Sequence, residues 1–170
     1  MYAECWYDGS CEPVNPHGHT SFGALVKVDG VEVLAQSGYV GVGALMSNNV
    51  GEYAGIIAVM KFLLRESLTE GIIHGDSKLV TKQMNGQWKA KRGLYLPYYS
   101  QAILLRTQLP KVCIEWIPRE KNGHADWLAR LAIKGVLRSD SRDEHLRHLI
   151  QEQREDNQRT RRIQLVKRKV

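Results

Sequence analysis

The stretch that decides the architecture runs from Tyr2 to Tyr39: YAECWYDGSCEPVNPHGHTSFGALVKVDGVEVLAQSGY. Residues 2–7 form an apolar and aromatic run, and Asp8-Gly9 directly after them predicts a strand followed by a turn. Glu12–Thr20 contains Pro13, Asn15, Pro16 and Gly18, so it reads as a loop. Phe22–Val28 and Val31–Tyr39 are two more strands, separated only by Asp29-Gly30. An Asp-Gly pair between apolar runs is the strongest short-range hairpin signal. Three consecutive strands therefore open the chain.

Downstream of them the hydrophobic period changes from strand to helix. Asn48 and Asn49 offer capping side chains ahead of Glu52–Arg65, where Tyr53, Ile56, Ile57, Met60, Leu63 and Leu64 recur at helical spacing. Ile72–Gly75 is a short strand. Ser77 then caps a helix to about Asn85, with Gly86 as its stop. Gly93 and Pro97 interrupt the pattern before a helix over Tyr98–Gln108, and Val112–Ile117 is a fifth strand. Asn122 precedes a final core helix to Ile133, closed by Gly135. Three early strands followed by alternating helix and strand predict an α/β fold, a five-stranded mixed sheet flanked by helices.

Beyond Gly135 the pattern degrades. Leu137, Leu146, Leu149 and Ile150 give a short apolar stripe, and polar and charged residues follow. The boundary is placed near Ser139: residues 1–138 form the folded domain, and 139–170 a charged C-terminal tail, partly helical or disordered. Residues 138–170 carry ten basic and six acidic side chains, so most of the net charge of +6 lies there. A basic chain of this kind suits a polyanionic partner.

Other function classes are excluded by what is missing. No apolar run approaches the roughly 20 residues that span a bilayer, and the first residues do not read as a signal peptide. Cys5, Cys11 and Cys113 are odd in number and include no CxxC pair. That fits packing thiols in a reducing, cytoplasmic setting rather than a disulfide scaffold or structural zinc site. There is no P-loop and no nucleophile elbow.

Four acids carry the chemistry. Each has a bland reading: Asp8 starts a turn, Glu52 complements a helix dipole, Asp76 is a helix-leading acid, and Asp126 pairs with Arg130 four residues on. Together, however, they occupy ends of strands or beginnings of helices, the rim of an α/β sheet. Four acids on one rim repel unless a cation neutralises them, and hard divalent ions prefer carboxylate oxygens. Two such ions about 3.5–4 Å apart support phosphodiester cleavage without a covalent nucleophile.

At these positions the motifs become recognisable. YDGSCEPVNPHGHTSFG (residues 7–23) resembles the opening of type 1 ribonucleases H, SNNVGEYAGI (47–56) their second motif, HGDSKLVTKQMNGQW (74–88) their third, and PREKNGHADWLA (118–129) the fourth as it occurs in the compact branch. The resemblance covers roughly residues 1–135 and implies a ribonuclease H-like fold. It implies a metal-dependent endonuclease that cuts the RNA strand of an RNA–DNA hybrid. The ligands for two ions, Mg²⁺ or Mn²⁺, would be Asp8, Glu52, Asp76 and Asp126.

By the same resemblance Asn48 and Asn49 contact the hybrid in its minor groove, with Ser10, Cys11 and Asn15 in the neighbouring loop. Hydrogen bonds to consecutive 2′-hydroxyls would distinguish RNA from DNA. The family's long loop carrying a histidine is short here, leaving Arg119 and His124 as candidate helpers in catalysis. The basic protrusion is reduced to Lys89, Lys91 and Arg92 after Trp88, a candidate for stacking on the backbone. Lys78 stands where many relatives have glutamine. A monomer with no membrane partner is expected, with double-stranded RNA as a second substrate candidate. The alternatives are another nuclease on the same fold, a silent hybrid-binding module, and a partner-docking subunit.

Overall fold

The computed structural model describes residues 1–139, so the expected extension lies, from residue 140 onward, outside the described residues. The chain divides after Ile133: Met1–Ile133 is one compact unit, and residues 134–139 are the described part of the second. In the first, strands β1 (Ala3–Glu12), β2 (His19–Val28), β3 (Val31–Gly41), β4 (Glu70–Gly75) and β5 (Lys111–Trp116) form one sheet in the order β3-β2-β1-β4-β5. The three N-terminal strands are antiparallel neighbours, whereas β4 joins β1, and β5 joins β4, in parallel. Helices α1 (Asn48–Arg65), α2 (Lys78–Met84) and α3 (Leu96–Arg106) follow the expected alternation. A 3₁₀ turn (Arg119–Lys121) leads into α4, which covers residues 123–133 of this unit; residues 134–139 are helical too. The mixed five-stranded sheet with four helices is the expected fold.

Helix α1 supplies most of the core. Val50, Tyr53, Ile56, Val59, Met60 and Leu63 are fully buried against Tyr7, Val26 and Ile73 of the sheet. Each such side chain contributes about 1.5–3 kcal/mol on burial. Gly51 and Gly55 stand inside this helix, where a glycine costs about 1 kcal/mol relative to alanine. The structure shows what they are for. A Cβ on Gly51 would lie 2.5 Å from the Ser21 carbonyl oxygen, so the helix backbone rests almost directly on the sheet. On β2, a Cβ on Gly23 would lie 2.1 Å from the Ala125 carbonyl oxygen of α4. Ser21 Oγ donates to the Ala129 carbonyl at 2.6 Å and Ser37 Oγ to that of Leu128 at 2.5 Å, tying α4 to the strands.

Several local expectations change. Asp8-Gly9 is not a turn: β1 continues to Glu12, with Asp8 opposite Gly23 and Glu12 opposite His19. The β2 partner offers an unbroken ladder, and tertiary pairing overrides the local turn propensity. The α1 cap is Ser47, whose hydroxyl accepts from Val50 N, so Asn48 and Asn49 are the first helical residues and Glu52 lies beyond the first turn. Pro97 sits inside the first turn of α3, where a missing N–H is harmless. Gly135 does not close the last helix, which runs on to residue 139. Ser77 caps α2 as expected, accepting from Val80 N at 3.3 Å.

Candidate active site

Three elements carry one carboxylate each to a common point. Asp8 is central on β1, Glu52 is one turn into α1, and Asp76 directly follows β4. One carboxylate oxygen from each lies within 4.8 Å of the others. The closeness depends on the glycine beside Asp8. A Cβ on Gly9 would sit 2.1 Å from Glu52 N, so only glycine lets α1 bring Glu52 down to β1. These acids line a cleft of about 360 Å³ with Ser10, Cys11, Asn48, Ser77, Arg119, Asp126 and Arg130.

Hydrogen bonds fix the acids unevenly. Asp8 Oδ1 accepts from Gly9 N at 2.9 Å, and Glu52 Oε1 accepts from Asn48 Nδ2 at 3.4 Å. Glu52 Oε2 is buried and has no hydrogen-bond partner among the described residues. Asp76 Oδ1 accepts from Asn122 Nδ2 at 3.2 Å, and the same amide donates to the Tyr7 carbonyl at 2.9 Å. The Trp116 indole N–H donates to the Asp76 carbonyl at 2.9 Å. Asp126 is held by two cations, with Arg119 at 2.9 Å and Arg130 at 3.1 Å.

Burial and mutual repulsion set the electrostatics. Desolvation, reinforced by Asp76, pushes the Asp8 carboxyl up to about 8. Burial, with Asp8 and Asp76 close by, drives Glu52 well above the ordinary carboxylate range. Arg119 is held above its usual value by its bond to Asp126. An all-oxygen donor set with an unpartnered buried carboxylate oxygen is what a hard divalent cation requires. The residues present therefore fit the ions that the sequence motifs imply.

This fit has a measurable consequence. With burial and Asp76 raising its carboxyl to about 8, Asp8 in the folded, metal-free protein is expected to hold its proton over a range in which the unfolded chain, near the ordinary value of 3.8, has released it. Between those values the folded state binds more protons, so stability is expected to fall as pH rises from about 4 to 8. Melting curves in EDTA should show that decline. Mg²⁺ or Mn²⁺ at pH 8 should reverse it, by about 2.7 kcal/mol at a free concentration a hundred times the Kd. A melting temperature indifferent to both ions at pH 8 would contradict metal binding here.

The remaining sequence candidates divide by position. Ser10 donates to Glu12 Oε1 at 3.3 Å and Cys11 Sγ to the Val14 carbonyl at 3.2 Å, both on the cleft wall. Asn15 Oδ1 accepts from Asn48 N at 2.9 Å, fastening the first loop to the start of α1. Asn49 is half-buried beside Asn48 but is not among the residues lining the cleft. Lys78 lies over the Trp116 ring at 4.8 Å. Trp88, 46% exposed, has Lys82 over its ring and borders a separate groove with Lys89, Lys91 and Arg92. Arg119 reaches the acids, but His124 does not line their cleft. It lies against Trp127 and borders another pocket with Trp6 and Lys27.

Two residues went unsingled in the sequence. Asn122 read only as the residue before a helix, yet it is 1% exposed and bridges β1 to Asp76. Its signal was an asparagine four residues ahead of Asp126, which local propensity explains as a helix start. Arg130 read as a mere helical pair for Asp126 but also lines the cleft.

The comparisons with known proteins agree with this arrangement. A family model described as reverse transcriptase-like matches residues 6–132. The bifunctional protein Rv2228c of Mycobacterium tuberculosis is 39% identical over 130 residues, 76% of this chain but 35% of that protein. The chain thus spans about a third of the length of that curated relative. The solved N-terminal RNase H domain of Rv2228c, fused to maltose-binding protein, is 32% identical with a TM-score of 0.74, covering 82% of this chain and 99% of that one. RNase H1 of Halobacterium salinarum has a TM-score of 0.70 at 26% identity, covering 79% and 99%. LC11-RNase H1, solved in complex with an RNA/DNA hybrid, gives the same four values.

Proposed function

The chain belongs to the reverse transcriptase-like family as a ribonuclease H-like domain, and from that premise we propose that it hydrolyses the RNA strand of RNA–DNA hybrids endonucleolytically. The observation that carries the proposal is the convergence of Asp8, Glu52 and Asp76 within 4.8 Å from three separate elements. These three, with Asp126 beside them, are the proposed ligands of two divalent ions, Mg²⁺ or Mn²⁺. Ions held there would supply two things, a lowered pKa that lets a water give up its proton and become the nucleophile toward phosphorus, and neutralisation of charge at the leaving oxygen.

The chain's own residues hold and orient. Asn122 fixes the Asp76 carboxylate, and Gly9 fixes the spacing of Asp8 and Glu52. Arg119 places a permanent cation at the cleft mouth, where it stabilises charge on a phosphate. His124, facing another pocket, is left out of this catalytic assignment. Ser10, Cys11, Asn15, Asn48 and Asn49 are proposed for the minor groove, and Lys78 and Trp88 for the flanking backbone. Residues 1–138 would make up the catalytic domain and act as a monomer in the cytoplasm, with 139–170 as a basic extension.

A panel of duplexes tests the substrate. With Mg²⁺ or Mn²⁺, cutting of RNA–DNA hybrid is expected, none of DNA–DNA, and double-stranded RNA cut more slowly if at all. Cutting of DNA–DNA at the hybrid's rate would point instead to another nuclease on this fold. Tight hybrid binding with no cutting would leave a binding module. Asn48→Ala should raise KM for the hybrid about tenfold, the loss of about one good hydrogen bond to substrate, with kcat changed less. An unchanged KM would remove Asn48 from the groove contact.

A further inference from the structure

A groove of about 470 Å³ lies away from the acids and shares no lining residue with their cleft. Its floor is Phe22 of β2, Leu34 and Val40 of β3, Ile57 and Phe62 of α1, and Tyr98 of α3. Phe22, Leu34, Val40 and Tyr98 are only half-buried, so apolar surface stays in contact with water. β3 is the outermost strand on that side of the sheet. Open apolar surface of this kind, rimmed by polar groups, marks protein interaction sites.

The rim supplies the sign of the partner. Lys61 and Arg65, one helical turn apart and both exposed, are the charged residues of the lining, and no acid lines it. Arg65 pairs with its neighbour Glu66 at 2.7 Å and its guanidinium also lies over Phe62, so Lys61 is the cation of the rim with no ion pair among those the described residues form. Gln36, Gln101 and the hydroxyls of Tyr39 and Tyr98 are the neutral polar groups of the lining. The cations stand over a floor made mainly of aromatic and aliphatic side chains, so the matching partner must bring apolar surface as well as negative charge, and a nucleic-acid backbone brings only the charge. A segment bearing carboxylates beside large apolar side chains matches both the floor and the rim.

We propose that this groove docks a short acidic, apolar segment of a partner protein. The proposal stands independently of the nuclease reading. Lys61 lies nine residues beyond Glu52 on the same helix, about 14 Å along its axis, so the two sites can be filled together.

Fluorescence anisotropy on the full chain tests it, with a labelled octapeptide of four glutamates, three leucines and one phenylalanine. One control peptide replaces the glutamates by lysines, and a second replaces the apolar residues by serines. Saturable binding of the first peptide is expected, with both controls at least about tenfold weaker. Lys61→Glu should weaken it about tenfold by charge, and Ala58→Trp similarly by filling the groove, each variant keeping its melting transition and hybrid cleavage. Because Lys61 is exposed, that variant keeps the test valid should Ala58→Trp fail to fold. Absence of saturation, equal binding of either control, or binding unmoved by Lys61→Glu would overturn the proposal. So would a loss of hybrid affinity in Lys61→Glu, which would make the groove a nucleic-acid surface.

Discussion

Asp8→Asn is expected to reduce hybrid cleavage by on the order of 10³-fold or more, about 4 kcal/mol of transition-state stabilisation. The same variant should raise the melting temperature in EDTA at pH 8. Both follow from one fact. Asp8 is 4% exposed among three other acids, so its charge opposes folding unless a cation compensates it. The amide fills the same volume, keeps an oxygen to accept from Gly9 N, and removes the charge. It also removes the strongest reason for a divalent ion to bind, so the stabilisation by Mg²⁺ or Mn²⁺ should shrink with it. Activity and metal-free stability would move in opposite directions, which simple misfolding does not produce. If Asp8→Asn retained near wild-type cleavage, or lost stability and activity together, the role assigned to this carboxylate would be wrong.

Gly9→Ala is expected to be the most damaging methyl group that can be added near the site. Its Cβ would meet three backbone atoms of α1, at 2.1, 2.5 and 2.8 Å, and backbone cannot rotate aside as a side chain can. Overpacking in cores typically costs 1–3 kcal/mol, and a clash with fixed backbone belongs at or above the top of that range, about 3 kcal/mol. Helix α1 can relieve the clash only by moving outward and carrying Glu52 away from Asp8. A misplacement of about 1 Å can cost on the order of 10² in rate, so cleavage should fall even where the variant remains folded. Gly123→Ala is the control. An added Cβ there has nothing within 4 Å, and the residue opens a helix, so stability should change by less than about 1 kcal/mol. Denaturant unfolding of both variants, with equal slopes, gives the comparison. Gly9→Ala as stable as wild type would show that the helix–strand contact is looser than described.

The contrast between Gly9 and Asp8 also shows what the linear chain conceals. The order of strands and helices was legible because each element carries its own period and its own stop or start. Ser77, Asp29-Gly30 and the α1 apolar positions behave as their local chemistry dictates. Asp8-Gly9 misleads, because the pair is the same whether it begins a turn or sits inside a long strand. Only the ladder to Gly23 and the close approach of α1 decide between them. Ser47 is hidden as a cap for a similar reason, since Asn48 and Asn49 are equally capable cappers and only backbone geometry separates the three.

The acids themselves were visible through their motifs, but their unequal settings were not. Asp8, Glu52 and Asp76 converge, while Asp126 is engaged by Arg119 and Arg130 at the edge of the same cleft. Arg119 and His124 looked equivalent in sequence, five residues apart on either side of Asn122. The 3₁₀ turn and the start of α4 send them to different pockets. Asn122 was invisible as a functional residue because its two hydrogen bonds reach Tyr7 and Asp76, 115 and 46 residues away. No local pattern records such a contact.

The most direct test of the account is cleavage of one RNA–DNA hybrid labelled on either strand, by protein stripped with EDTA and then given Mg²⁺ or Mn²⁺. The account predicts no cutting in EDTA, internal cutting of the RNA strand once either ion is restored, and an intact DNA strand throughout. Cutting that persists in EDTA, or that falls on the DNA strand, would contradict the assignment of Asp8, Glu52 and Asp76 as the metal-holding centre of a ribonuclease H.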